Sequence, residues 1–596
     1  MDIYDLSAPA TPTLAGSAQI TGAVWLFVPM GSDRLFVLGN DYGQGYSSSK
    51  VSLRYLDVTD AANPQVLGTA QFGDGWAWTP AAGTFKAFTR DANQKLVVLP
   101  FSGWNHASYE YTNGLQLIEY DASSIAAKGA SRSKGWVERG IFVKGRLVSL
   151  SDQALTVVDY ANRAAPKVVS ELTLARNVVS AEPQGATIAQ LSTDWWGYDQ
   201  QKSELRVLPI GNAEELRGEP GAPGVAVDGS NARVFRNGDL AYVVTTLYPK
   251  NPNGPWYATP QVQVVDLAGG DAVLRGKIEL PKEQNGYWSW WGGCYYWDWY
   301  DGSSTVQVNG DSLAFRRTRG EYDPATGKTT IEQKLYVVDL QNPDAPKLAS
   351  TVITPQNDTW WGNMRVVGDT LYTTHYEWVS KPATQGSPST KPSEWVVKYY
   401  LDRIDLSDRA NPKVGSRINV PGILVGASEA DPSMLYFVDY RWYGDLNKDE
   451  LAVAQIKGDK AYLRSTTLLD GWVGNVFVRG AKAYMTAQEY VQHPNGGKPV
   501  LKLHEVDLTD PRNPVDRASA PKDGWGWLVD VEGDRAILTS GWGQVGLDIY
   551  RLTPGGAPVY SQFARTRGWW PSAIARQGGD LYLSTGYWGV QKIALQ

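Results

Sequence analysis

The 596-residue chain carries one cysteine, Cys294, and four histidines, His106, His375, His493 and His504. A single thiol excludes an internal disulfide framework. Four scattered imidazoles, none in H-x-x-x-H or H-E-x-x-H spacing, supply no zinc motif. Each histidine reads as a surface or satisfied loop residue, and Cys294 as a buried, inert thiol. Charged side chains make up 20% of the chain, with 56 Lys and Arg against 62 Asp and Glu, a formal net charge of −6. That balance argues against nucleic acid as a partner, which would be met by a basic surface. No stretch approaches the roughly 20 apolar residues of a membrane-spanning helix, so no membrane span is expected. Helical periodicity is nearly absent as well; SSIAAKGA from Ser123 and GNAEELRG from Gly211 read as short loop segments.

Hydrophobic residues reach 42% and aromatics 12%, which excludes an unfolded chain. Tryptophan is abundant, with 25 residues against 12 phenylalanines. A segment of alternating apolar residues ending in Asp-Leu, followed by a Pro-containing turn and a second apolar run, recurs along the whole chain. It begins at Ile3, Leu53, Leu115, Leu155, Leu205, Val262, Leu335, Leu401, Leu451, Leu503, Leu547 and Val590. The mean interval is about 53 residues, close to the spacing of four-stranded propeller blades. Within one interval the alternation resolves into four strands. After Leu503 these are GWLVDVEG, DRAILTS, LDIYRL and PVYSQFA, named a, b, c and d. The a–b turns carry Gly-Asp, Gly-Ala or Gly-Gly, which supply the positive φ of tight hairpins.

The pattern predicts an all-β fold: a continuous β-propeller array over residues 1–596 of about eleven four-stranded blades. One large ring and two smaller rings both fit, the seam of the second arrangement falling near 280–305. The chain opens on c and d strands and closes on a, b and c, so the N-terminal strand is expected to complete the last blade and remove two open edges. The Asp that ends each c strand (Asp57, Asp159, Asp266, Asp339, Asp405, Asp507) is expected to accept backbone N–H groups of the following turn.

LYVVDLQNPDAP from Leu335 and LRYLDVTDAANP from Leu53 resemble the LVIVD-type repeats of secreted bacterial β-propeller proteins. The resemblance implies a propeller scaffold and an extracellular or cell-surface address. It brings no catalytic residues. No leader precedes Met1, so a trimmed signal peptide is expected if the address is right.

On the blade map all 25 tryptophans fall in d–a or b–c connections or beside them. Those loops emerge on one side of the array. Asp-Gly-Trp at 74–76, 470–472 and 523–525 recurs regularly and fits rings plugged between blades. The irregular pile from Tyr287 to Tyr300 fits a recognition surface or an assembly contact. The ligand-binding candidates are Trp288, Trp290, Trp291, Trp297, Trp299, Trp360, Trp361, Trp569 and Trp570, with a glycan or a protein as partner. Flat, rigid, amphipathic rings suit both.

Catalytic motifs are missing. There is no G-x-S-x-G elbow, P-loop, dinucleotide fingerprint or sialidase-type Asp box, and DPATGKTTI from Asp323 matches only part of the tryptophan motif of quinone-dependent propellers. No catalytic residue and no cofactor is therefore assigned. Asp445, Asn447 and Asp449 place oxygen ligands at alternate positions, as at the start of a Ca²⁺ loop. Glu450 stands where the turn glycine belongs, and a solvated acidic turn is the competing reading. Two further readings remain: a glycan-acting propeller enzyme with its site in the central opening, and a structural subunit assembling through residues 287–300.

Overall fold

The computed structural model describes residues 1–595 except 43–48, 74, 106–109, 194–201, 215–223, 248–256, 282, 285–304, 324–327, 355–359, 362–363, 381–394, 441–447, 492–496, 541–544 and 569–570. Among the described residues there is no α-helix, only antiparallel strands and short 3₁₀ turns such as Pro80–Ala82. SSIAAKGA is not a loop: Ile125–Arg132 is a strand, paired along Glu110–Tyr120. Alanines and a β-branched residue suit an outer strand as well as a turn, and pairing decides.

The expected four-strand unit repeats. The interval after Leu503 gives Gly526–Glu532, Arg535–Ser540, Gly546–Arg551 and Val559–Arg565, paired in that order. Sheets are numbered here by chain order. A two-stranded hairpin, Asp2–Asp5 with Thr13–Ser17, comes first. Sheet 1 runs from Ala23 to Phe72, sheet 2 from Thr89 to Arg132, and sheet 3 from Val137 to Thr173. Trp76–Trp78 bridges sheets 1 and 2 into one nine-stranded sheet. Sheet 4 covers Val178–Asp228, sheet 5 Ser230–Glu279, sheet 6 Thr305–Thr354 and sheet 7 Trp360–Val420. Sheet 8 covers Ile423–Leu468, sheet 9 Trp472–Ala518, sheet 10 Gly526–Arg565 and sheet 11 Ala573–Ala594.

The c–d turns are built as the repeat predicts. The N–H two residues on donates to the strand-ending Asp: Thr59 to Asp57 at 2.9 Å, Ala161 to Asp159 at 2.9 Å, Ala268 to Asp266 at 2.9 Å, Gln341 to Asp339 at 3.0 Å, Ser407 to Asp405 at 2.9 Å and Thr509 to Asp507 at 3.1 Å. Several of these turns carry a second Asx turn three residues further along, from Ala62 to Asp60, Ala410 to Asp408 and Arg512 to Asp510. The chain is thereby locked through the loop before strand d begins.

Successive sheets are held face to face by shared apolar cores. Phe36, Leu38 and Tyr55 of sheet 1 meet Val97, Leu99 and Ile118 of sheet 2. Leu96, Val98, Leu115 and Leu117 on the other face of sheet 2 meet Val137, Leu147 and Val158 of sheet 3. The same arrangement joins sheets 4 and 5 through Leu205 and Val243, and sheets 5 and 6 through Val262 and Phe315. The latter core brackets residues 285–304, where the seam between two rings was expected and which lie outside the described residues. No core among the described residues joins sheets 3 and 4. Instead Val178, Ala181, Ile188 and Leu208 of sheet 4 share a core with Tyr582 and Val590 of sheet 11. Ser572 Oγ donates to the Val179 carbonyl at 3.0 Å, and Gln577 Nε2 to the Gly185 carbonyl at 2.8 Å.

The N-terminal strand does not complete the last sheet. Asp2–Asp5 pairs with Thr13–Ser17, and their hairpin packs on sheet 1, with Met1, Ala18 and Ile20 against Val37 and Leu56. Gly16 fixes it there, because a Cβ at that position would lie 2.2 Å from the Ala61 carbonyl oxygen. Sheet 11 keeps three strands. Part of its open edge is covered by a side chain: Glu214 accepts the Lys592 N–H at 3.2 Å.

Candidate binding face

Nine tryptophans have described side chains, and none of them belongs to the buried core. Trp76 is 52% exposed, Trp472 57%, Trp588 56% and Trp527 39%, while Trp25, Trp78, Trp104, Trp136 and Trp525 are half-buried. The plug expected of the Asp-Gly-Trp copies is therefore not what Trp76 and Trp472 make. The motif has a backbone reason. Its glycines adopt positive φ (62° at Gly75, 112° at Gly471, 113° at Gly524), and a Cβ on Gly471 would meet the Gln488 carbonyl at 2.4 Å. Its carboxylates serve the surface: Asp470 pairs with Lys448 at 3.6 Å and Lys502 at 3.5 Å, and Asp523 with Lys498 at 2.6 Å.

Two groups of rings come together. In the first, Trp76 lies opposite Trp104 in the ladder of Trp76–Trp78 with strand b of sheet 2. Trp78 and Trp136 pack with ring centroids 5.1 Å apart at 55°, and Tyr111 lies 6.3 Å from Trp136 and 6.4 Å from Trp104. Burial raises the pKa of the Tyr111 hydroxyl, and hydrogen bonds from Trp78 and Ser102 partly offset it. The backbone N–H of Trp136 donates to Asp152 Oδ1 at 2.7 Å. Gln153 then reaches sheet 11, its Nε2 donating to Tyr587 Oη at 2.9 Å beside exposed Trp588. In the second group Trp472 and Trp525 lie 6.4 Å apart at 33°, joining sheets 9 and 10.

Of the residues singled out by sequence, Trp288, Trp290, Trp291, Trp297, Trp299, Trp569 and Trp570 lie outside the described residues, as do Asp445, Asn447 and Cys294. The backbones of Trp360 and Trp361 form a short strand opposite Tyr376 and His375. Asp449 is 1% exposed. Its Oδ2 accepts the Val473 N–H at 2.7 Å, and its own N–H donates to the Gly471 carbonyl at 3.2 Å. Asp449 thus holds the turn that presents Trp472.

Two histidines are not the surface or loop residues expected. His375, fully buried in strand b of sheet 7, sets Nδ1 2.5 Å from Asp402 Oδ2 and stacks on Tyr400 at 5.2 Å. His504, 2% exposed in strand c of sheet 9, sets Nδ1 3.0 Å from Asp516. The signal was present in the period of two: Leu371, Thr373 and His375 alternate onto one buried face. His106 and His493 lie outside the described residues.

Repeated four-stranded antiparallel sheets stacked face to face define a β-propeller protein. Residues 3–163 match the family described as Beta propeller domain. No curated protein matches the chain. Among solved structures it is similar to an acylaminoacyl peptidase from Pyrococcus horikoshii, with 11% identity and a TM-score of 0.31, covering 65% of this chain and 52% of that one. It is also similar to Hsv2p of Kluyveromyces lactis, with 10% identity and a TM-score of 0.30, covering 64% of this chain and 95% of that one. The match thus spans about half the length of the peptidase.

Proposed function

We propose that this propeller is an extracytoplasmic, non-catalytic binding protein whose tryptophan-rich loop face recognises a glycan, with a protein surface as the alternative ligand. The observation that carries the reading is the placement of the rings: nine tryptophans have described side chains, and none lies in the core. A large apolar ring left half or more in water by a well-packed scaffold is poised for a partner, since burying it later releases the water that its faces order. Trp76–Trp78, Trp104 and Trp136 stand on strands or immediately beside them, so the rings lose little freedom when bound. Trp288, Trp290, Trp291, Trp297, Trp299, Trp569 and Trp570 would extend the same surface. A Ca²⁺ ion held by Asp445, Asn447 and Asp449 would stiffen the turn that carries Trp472; titrating Ca²⁺ and finding an unchanged melting temperature removes that part.

The test is intrinsic fluorescence of the intact chain against a panel of soluble polysaccharides. Saturable quenching or a blue shift by one polysaccharide class, lost in Trp76→Ala or Trp472→Ala, is expected. A chain that answers to none, and binds only through variants of other surfaces, overturns the reading.

A further inference from the structure

The repeating contact in this molecule is polar in direction. Where consecutive sheets stack, a sheet covers one face with the preceding sheet and the other with the following one. Sheet 5 shows what the second face looks like when covered. Tyr242, Val244, Val262 and Val264 point toward sheet 6 and are 0–7% exposed. The corresponding face of sheet 3 is equally apolar. Ile141 and Val143 of strand a lie opposite Val148 and Arg146 of strand b. Leu150 faces Leu155, and Leu155 faces Leu172 across strands b, c and d. Yet Ile141 is 36% exposed, Val143 44%, Leu150 36% and Leu172 53%. A four-stranded face of this composition in water is the kind of surface that a partner covers.

The chain also carries the other half of such a contact. In the N-terminal hairpin, Met1 and Ala18 turn to sheet 1, while Tyr4 and Leu14, opposite one another in register, turn away. Tyr4 is 53% exposed, Leu14 57% and neighbouring Leu6 63%. These are the third and fourth strands of the repeat, and they present the face that a preceding sheet would cover. The two exposed faces stand at opposite ends of the run formed by the hairpin and sheets 1, 2 and 3, so each end matches the other end of a second molecule.

We propose that the open face of sheet 3 docks the N-terminal hairpin of a second copy of this chain, head to tail, giving a two-fold dimer with two such contacts. The occupant follows from continuity with the contacts already present: hairpin on sheet 1, sheet 1 on sheet 2, sheet 2 on sheet 3. A head-to-tail contact closes when the rotation permits, and with two copies it closes as a pair. The outer strands meet outer strands, which sets Leu14 of one copy against Leu172 of the other. The proposal does not depend on the identity of the ligand, because the tryptophan face is not used.

Light scattering of the full chain tests it, together with Leu14→Glu, Leu172→Lys and the double variant. Both substituted positions are exposed, so circular dichroism and melting temperature are expected to stay as in the parent. The parent is expected at twice the 65.4 kDa of one chain. Each single variant is expected at half that mass, and the double variant at the parent mass again, since every contact then pairs Glu with Lys. A parent that stays monomeric up to about 100 μM, far above a micromolar Kd, overturns the proposal. A dimer unmoved by either single variant overturns it too, and so does loss of the dimer in both singles without recovery in the double.

Discussion

Val178 and Gly586 exchange both backbone hydrogen bonds: the Val178 N–H donates to the Gly586 carbonyl at 3.0 Å, and the Gly586 N–H returns to the Val178 carbonyl at 3.1 Å. Residues more than four hundred positions apart thus join the start of sheet 4 to the b–c loop of sheet 11. Gly586 sits at φ 66°, a left-handed conformation that a β-branched side chain adopts only under strain.

Gly586→Val is therefore expected to destabilise the chain by about 1–3 kcal/mol. The loss should be local to this junction. Hydrogen exchange is expected to speed up together in 178–184 and 573–584, while 137–159 in sheet 3 keeps its protection. Uniform loss across sheets 1 to 3 as well would mean that the junction does not delimit a cooperative unit.

The repeated aspartates set the acid limit of the fold. Hydrogen bonds from Thr59, Ala161, Ser407 and Thr509 hold Asp57, Asp159, Asp405 and Asp507 below the usual carboxylate range. A carboxylate whose pKa is lower folded than unfolded adds stability above its unfolded value of about 3.9, and loses it as the pH falls through the folded value. Urea midpoints are expected to be flat between pH 7 and 5 and to drop below about pH 4. Asp405→Asn with Asp507→Asn should shrink that drop, because an amide keeps the turn but takes no proton. A midpoint that rises on acidification contradicts the assignment.

The strand order inside each sheet was legible because alternation and turn chemistry are local. GWLVDVEG followed by DRAILTS is a hairpin whatever surrounds it, and the Asp of each c strand needs only the N–H two residues on. Which sheet covers which was not legible. Leu96, Val98 and Leu115 make a forward face with the same alternating apolar pattern as Val148, Leu150 and Leu155, so the sequence alone lets any forward face meet any rear face. The hairpin on sheet 1 and the junction of sheets 4 and 11 are tertiary choices, decided by close approaches such as Gly16 at the Ala61 carbonyl. Among the described residues the tryptophans lie in or beside the expected connections, but Asp-Gly-Trp is not the expected plug at Trp76 and Trp472. Regular recurrence suggests a ring plugged between blades, whereas the positive φ of Gly75 and Gly471 turns the chain so that the ring stands outside. His375 was missed because scarcity suggested a loop, although its parity with Leu371 placed it inside.

If the exposed rings serve recognition, removing them should separate stability from binding. Trp472 is 57% exposed and Trp76 52%, so alanine at either is expected to change unfolding free energy by no more than about 0.5 kcal/mol. Leu538, fully buried in the core between sheets 9 and 10, is the control, where alanine should cost about 2–5 kcal/mol. Trp525 tests the boundary: half-buried and 6.4 Å from Trp472, it holds its neighbour's ring as well as offering its own. Trp525→Ala should therefore lose some stability, and with it at least as much affinity as Trp472→Ala, about tenfold or more for each ring that stacks on ligand, which corresponds to about 1.4 kcal/mol. Should Trp472→Ala cost as much stability as Leu538→Ala, the ring is packing and the binding face must be sought elsewhere on the molecule.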